Sequence, residues 1–249
     1  MSLPHPLPLL AQLLYCECMQ LLRLPSFTIP TFVVPIVLYA CIGLPLHGRA
    51  VLGLDGAGAM LAAISAYITM TTALFAVGGS IAFERARGWL CLLQRSPLPI
   101  PVWLSAKLLL GVCQVTISLA LLYGFARLCG VPVSPTGWLQ LYVAMIGGMA
   151  PFVLLGLAIG FRMRGEAAIT LINLVFLPLS FASGLFMPLQ QLPEWMRDLA
   201  PLLPPFHLAN LGWAALGAQV DPPLQSIAAL AAYGLGFLPL LWLAPLRRR

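Results

Sequence analysis

Apolar residues run through this chain in long blocks, and the charges, prolines and glycines gather in the short stretches between them. Six blocks stand out, at about 27–46, 58–81, 108–128, 138–160, 167–187 and 224–245. A helix rises about 1.5 Å per residue, so some 20 apolar residues cover the roughly 30 Å of a hydrocarbon core. Backbone groups in lipid must be paired within their own segment, which favours helices. The ten-residue alternation of a membrane barrel is missing. The pattern predicts an all-α integral membrane protein of six transmembrane helices, in one domain covering residues 1–249.

Two flanking segments add detail. Residues 9–24 place Gln12, Cys16, Gln20 and Arg23 on one helical stripe with leucines filling most of the rest, which predicts an amphipathic helix lying in the inner membrane interface. Pro25 ends it. Between the fifth and sixth blocks, residues 188–223 hold seven prolines. Within them Pro193 and Glu194 open a short helix with Trp195, Leu199, Leu202 and Leu203 on an apolar side. It is expected to dip back into the outer leaflet, anchored by Trp195 and Trp213.

Composition agrees with the pattern. Of 249 residues 61% are hydrophobic and 8% charged, with a mean hydropathy of +0.97, against about 25% charged in an ordinary soluble domain. Charge then orients the chain. With a cytoplasmic N-terminus, the inner side holds Arg23, Arg85, Arg87, Arg95, Lys107, Arg162, Arg164, Arg247, Arg248 and Arg249, leaving Arg49, Arg127 and Arg197 outside. The positive-inside rule therefore places both termini in the cytoplasm, in a multi-pass protein of the cytoplasmic (inner) membrane. The net charge of +6 follows membrane topology and does not point to nucleic acid. No cleavable signal is evident in MSLPHPLPLL.

The chemistry of sites is sparse. The six cysteines include Cys16 and Cys18 around Glu17, but no C-x-x-C pair or histidine completes a tetrahedral set, so no metal site is expected. No phosphate-cradling glycine loop occurs, and Lys107 follows Ser105-Ala106. Any ATP must be bound by another polypeptide, and the chain itself is not expected to be an enzyme. Phe181-Ala182-Ser183-Gly184 has the look of a rhomboid-like intramembrane serine protease. That chemistry needs a histidine at the same depth, and His5, His47 and His207 all lie outside the predicted spans. An ion-coupled carrier would place a carboxylate or a broken helix at mid-membrane, and the carboxylates fall in connections or at boundaries.

Two polar-small stripes are more informative. Ser65, Thr69, Thr72, Ala76 and Gly79 share one face of the second span; Asn173, Leu177, Ser180 and Gly184 share one face of the fifth. Such faces pack against a helix or line a path for a solute. Gly156 and Gly160 form a small-xxx-small pair suited to helix packing. The inner connection 84–95 reads as one amphipathic helix, with Glu84, Arg87, Cys91 and Arg95 opposite Ala86, Leu90 and Leu93, ended by Ser96-Pro97. It is either a docking helix or a loop obeying topology alone.

These residues carry a resemblance. Glu84, Arg85, Gly88, Leu90, Leu93, Ser96, Pro97 and Leu98 match, position by position, the E-R-x-x-G-x-L-x-x-L-x-x-S-P-L loop of ABC-2-type transporter permeases; the family's glycine before the lysine is Ala106 here. Ser183, Gly184, Pro188, Pro193 and Trp195 resemble the family's outer segment after span five. The resemblance implies one ABC-2 transmembrane domain with the fold of type V (G-subfamily-like) exporters. It pairs with a second permease subunit and docks separate nucleotide-binding subunits, which hold ATP and Mg. It also implies that Glu84, Arg85, Arg87, Gly88, Leu90, Leu93, Ser96 and Pro97 couple to the ATPase subunit, Glu84 and Arg85 through polar contacts. Thr69, Met70, Thr72, Asn173, Phe176 and Ser180 would line a central cavity. An uncharged interior then suggests efflux of drugs, lipids or other apolar or amphipathic substrates.

Overall fold

A computed structural model describes residues 6–23, 25–95, 98–187 and 193–242. The apolar blocks form helices, in chain order α1 (Pro6–Leu22) and α2 (Pro25–Leu38), the latter running on through a π turn (Tyr39–Gly43) and a tight turn (Leu44–Leu46). Strands β1 (Ala50–Val51) and β2 (Leu54–Asp55) follow. Next, α3 (Gly56–Thr71) passes through a π segment (Thr72–Gly79) into α4 (Ser80–Ala86), followed by α5 (Trp89–Arg95) and α6 (Ile100–Leu128). The remainder is α7 (Pro135–Gly147), α8 (Ala150–Arg162), α9 (Glu166–Ala182), α10 (Glu194–Leu199), α11 (Pro204–Ala215) and α12 (Pro223–Trp242).

Five stretches among the described residues are long and apolar enough to cross a membrane: Thr28–Leu46, Gly56–Ala86, Ile100–Leu128, Pro135–Arg162 and Pro223–Leu241. The 17 residues of α9 reach about 26 Å at 1.5 Å per residue. This helix stops short of the expected 187 because Gly184, at φ +72, takes the left-handed cap. The Leu185 amide then closes on the Ser180 carbonyl at 3.3 Å. Against the all-α expectation, β1 and β2 pair antiparallel, Ala50 opposite Asp55. Leu52 and Gly53, both at positive φ, turn the chain between them.

The centre of the molecule is the Gly56–Ala86 stretch, 78% buried, whereas the first and last spans are 17% and 11% buried. Its second half meets α8 at backbone distance. A Cβ on Gly78 would lie 2.5 Å from the Gly156 carbonyl oxygen, and one on Gly160 would lie 2.5 Å from that of Gly78. The small-xxx-small pair of α8 is therefore a packing motif, one that lets two backbones touch where apolar burial gives no advantage over lipid. The fourth span is not continuous. A turn at Gly148 and Met149 divides α7 from α8, and a Cβ on Gly148 would sit 2.4 Å from Leu208.

In the connection between α9 and α12 one of the two expected anchors lies elsewhere. The short helix predicted around 193–203 is exposed, and Trp195 is 63% accessible. The segment that returns into the protein is α11, buried from Pro204 to Trp213 apart from the half-buried His207. Pro204 and Pro205 start it without wasting amides, and the Trp213 indole donates to the Ala59 carbonyl at 2.9 Å. Trp213 is thus a core residue packed on α3 rather than an interfacial anchor.

Candidate coupling site

Between α4 and α6 the chain makes a broken rather than a continuous helix. Gly88, at φ +77 with open space where a Cβ would stand, takes a conformation that costs other residues energy. The break re-aims α5 relative to α4, so the predicted common stripe does not survive. Arg87, Cys91 and Arg95 are exposed, together with Trp89 and Leu92. Leu93 turns inward against Val77, Ile81, Trp103, Leu157 and Phe161. The Leu90 side chain and residues Ser96 and Pro97 lie outside the described residues.

Glu84 and Arg85 do not join that open face, because both are engaged within the chain. The Glu84 carboxylate pairs with Lys107, as does Glu17 of α1, at 2.5 Å. Lys107 is buried because α6 begins at Ile100, earlier than predicted, with Pro101 in its first turn. Trp103, one turn earlier on α6, stands beside the Glu84 carboxylate. Its indole nitrogen and the second Glu84 oxygen are buried without a hydrogen bond of normal geometry. Removing the ammonium would leave two part-buried carboxylates facing each other without a counter-charge. Arg85 donates to the carbonyls of Gly160 and Met163, at 3.2 and 3.4 Å, and the Gly165 amide donates to the Ala82 carbonyl at 3.1 Å. The root of the loop is therefore pinned to α1 and α6 on one side and to the α8–α9 turn on the other. Sequence reasoning missed Glu17 and the inward turn of Lys107. The available signal was a lone lysine inside an apolar run.

The six positions expected to line a cavity fall into two groups. Thr69, Met70, Thr72, Phe176 and Ser180 are buried within the subunit, while Asn173 is exposed. Ser65, Thr69 and Ser180 satisfy their hydroxyls on carbonyls one turn back, at 2.7, 3.0 and 2.8 Å. Phe176 packs on Tyr67 and Phe75, ring centroids 5.4 and 5.7 Å away, which places the middle of α9 against the second span. Asn173 stands instead among exposed Leu174, Leu177 and Phe181 on the open side of α9. A groove of about 1010 Å³ between α7–α8 and α11–α12 is lined by other residues, including Val143, Pro151, Leu211, Ile227 and Leu235.

Ser183 is buried and donates to the Leu179 carbonyl at 2.6 Å. His207 faces Ser226 at 3.4 Å, and Asn210 donates to the same hydroxyl at 2.9 Å. A protease pairing of Ser183 with His207 has no support in these contacts. Gly184 caps α9, Pro193 opens α10, and Pro188 lies outside the described residues. Asp55 caps α3 by accepting from the Ala57 amide at 3.2 Å, and also takes the Gly48 amide at 2.6 Å and His47 at 3.1 Å. Burial pushes its carboxyl up, but the hydrogen bonds from Gly48 and His47 outweigh this and hold it below the ordinary carboxylate range.

Comparison with known proteins gives two results. The profile of the family described as "ABC-2 type transporter" matches residues 8–212. "Putative transport permease YvfS" of Bacillus subtilis (strain 168) is 25% identical over 179 residues, covering 72% of this chain and 73% of that protein.

Proposed function

The chain belongs to the ABC-2 type transporter family as a permease subunit without an ATPase site of its own, and we propose that it serves an exporter of apolar or amphipathic substrates. ABC-2 permeases act with nucleotide-binding subunits, and the observation that carries the coupling assignment is the loop between α4 and α6. The rest of the chain leaves Arg87, Trp89, Leu92 and Arg95 uncovered, while the loop's root is fixed to α6, through it to α1, and to the α8–α9 turn. An aromatic and an arginine side by side are typical anchors of protein interfaces. In this reading Arg87, Trp89 and Leu92 dock the ATPase subunit. Gly88 sets the angle, Leu93 seats α5 on the helices, and Glu84 and Arg85 transmit the load rather than touching the partner.

The whole chain acts as one domain of six spans with both termini in the cytoplasm. Counting α9 as the fifth span is supported by its near-spanning length and by its start at the turn that also receives Arg85. ATP-driven closure of the partner subunits pushes on α5, and the bonds of Arg85 and Gly165 carry the displacement into α8 and α9. The π segment Thr72–Gly79 is the compliant point above, a form of helix often found at functional sites. ATP must favour one arrangement over the other for this to do work. Two permease subunits, identical or not, pair across the open face of α9. Asn173 borders the passage directly, while Thr69, Met70, Thr72, Phe176 and Ser180 stand behind it and reach it as the second and fifth spans part. Ser183, Gly184, Pro188, Pro193 and Trp195 form the outer closure. The absence of a charge along this path in the sequence supports a substrate without a full ionic charge.

The test is a variant with Arg87→Ala, Trp89→Ala and Leu92→Ala, co-expressed with the cognate nucleotide-binding subunit. These side chains are exposed, so insertion and folding should persist while co-purification of the ATPase subunit falls at least about tenfold, a loss of roughly 1.4 kcal/mol. Full recovery of the complex would rule out docking through this loop.

A further inference from the structure

We propose that Lys107 is a transmission pin: its ammonium ties the interfacial helix α1, through Glu17, to the root of the coupling loop, through Glu84, so that α1 is carried along whenever the loop is displaced. This rests on the coupling role given to the loop above. It adds a moving part that the loop alone does not imply.

Three observations carry it. Lys107 is the chain's sole lysine and is almost wholly buried, although a lysine near the end of a membrane helix normally extends its flexible stem to water. Here the stem is turned into the protein, and the ammonium meets carboxylates from two elements far apart in sequence. The second observation is the charge count. One ammonium balanced by Glu84 would already be neutral, so Glu17 is a surplus carboxylate drawn to the same ammonium. Its effect is directional: α1 otherwise lies against α6 through apolar side chains, and such contacts slide, whereas a charge-assisted hydrogen bond fixes register. Third, the same stretch that carries Glu84 carries Arg85 and Ala82, bonded to the α8–α9 turn. At the inner face, α1, α4, α6 and that turn are joined by polar bonds into one body. A push on α5 then rotates the body, and α1 moves with it along the membrane surface.

The surplus charge supplies the test. Glu17→Gln leaves a neutral Lys107–Glu84 pair and should fold, whereas Lys107→Met leaves two carboxylates facing each other. The assembled transporter, with its nucleotide-binding subunit, is spin-labelled pairwise at Cys16, Cys91 and Cys41, which are exposed, the last on the π turn after α2 and outside the joined body, the remaining cysteines being replaced by serine. Distances are compared without nucleotide and after trapping with ATP and vanadate. With Glu17 present, both Cys16 and Cys91 should shift relative to Cys41 while their mutual distance holds. In Glu17→Gln, Cys91 should still shift and Cys16 should lag, splitting the Cys16–Cys91 distance into a second population. A Cys16–Cys91 distance that already changes with Glu17 in place, or that holds in Glu17→Gln, overturns the pin and leaves the loop's role standing. A Cys91 position indifferent to nucleotide overturns the loop's role and the pin with it.

Discussion

Substituting Gly156 by alanine tests how rigidly the second span is joined to the fourth. The added Cβ would lie 2.7 Å from the Ala73 carbonyl oxygen and 3.3 Å from the Leu74 Cα. Those are backbone atoms, so relief requires the two helices to part by several tenths of an ångström. Overpacking of this kind costs about 1–3 kcal/mol. A radial gap of 0.5–1 Å also forfeits roughly a quarter to a half of the dispersion energy of each facing contact. Against this, alanine in place of glycine inside a helix gains about 1 kcal/mol. The net expectation is destabilisation of about 1–2 kcal/mol. Gly124 serves as the internal control, since it lies inside α6 with nothing within 4 Å of its Cβ position; there alanine brings only the propensity gain. Thermal unfolding of both variants in nanodiscs, followed by tryptophan fluorescence, should move the midpoint down for Gly156→Ala and up for Gly124→Ala. Because Gly78 and Gly156 meet at one contact, Gly78→Ala combined with Gly156→Ala should cost less than the sum of the two. Shifts of the same sign for Gly156→Ala and Gly124→Ala would refute the close approach of backbones.

Two further outcomes follow from Asp55 and Trp213. The Asp55 carboxyl is held below its unfolded value of about 4, so its contribution to stability is fully present above that value and is lost as pH falls through the lowered one. Asp55→Asn keeps the cap on α3 but loses the ionised acceptor, so its midpoint should lie below the native one at pH 7 and the gap should close on acidification; a gap independent of pH would sink the assignment. Trp213→Phe removes the indole bond to the Ala59 carbonyl and should lower stability by about 0.5–1.5 kcal/mol in denaturant titrations, whereas an unchanged midpoint would place the indole elsewhere.

The sequence alone determined the membrane class, the approximate extent of the spans, the position of the charged loop between α4 and α6 and the resemblance to ABC-2 permeases. These are carried by properties local to a segment: a run of apolar residues as long as the bilayer is thick, the proline before α6, and the spacing of Glu84, Gly88, Leu93 and Leu98. Only the tertiary structure decided which side chains of that loop are available. One positive φ at Gly88 re-aims α5, and residues predicted to share a stripe part company. It also decided that Lys107 and Glu84 face inward, because a buried ammonium needs a carboxylate from another helix to meet it, and that meeting is not written in either local pattern. The outer connection also holds a buried helix, α11, packed on α3 through Trp213, since a run flanked by prolines and tryptophans has the same pattern at an interface or in a core. Periodicity reports which face of a helix is apolar; what that face meets is set by the other helices.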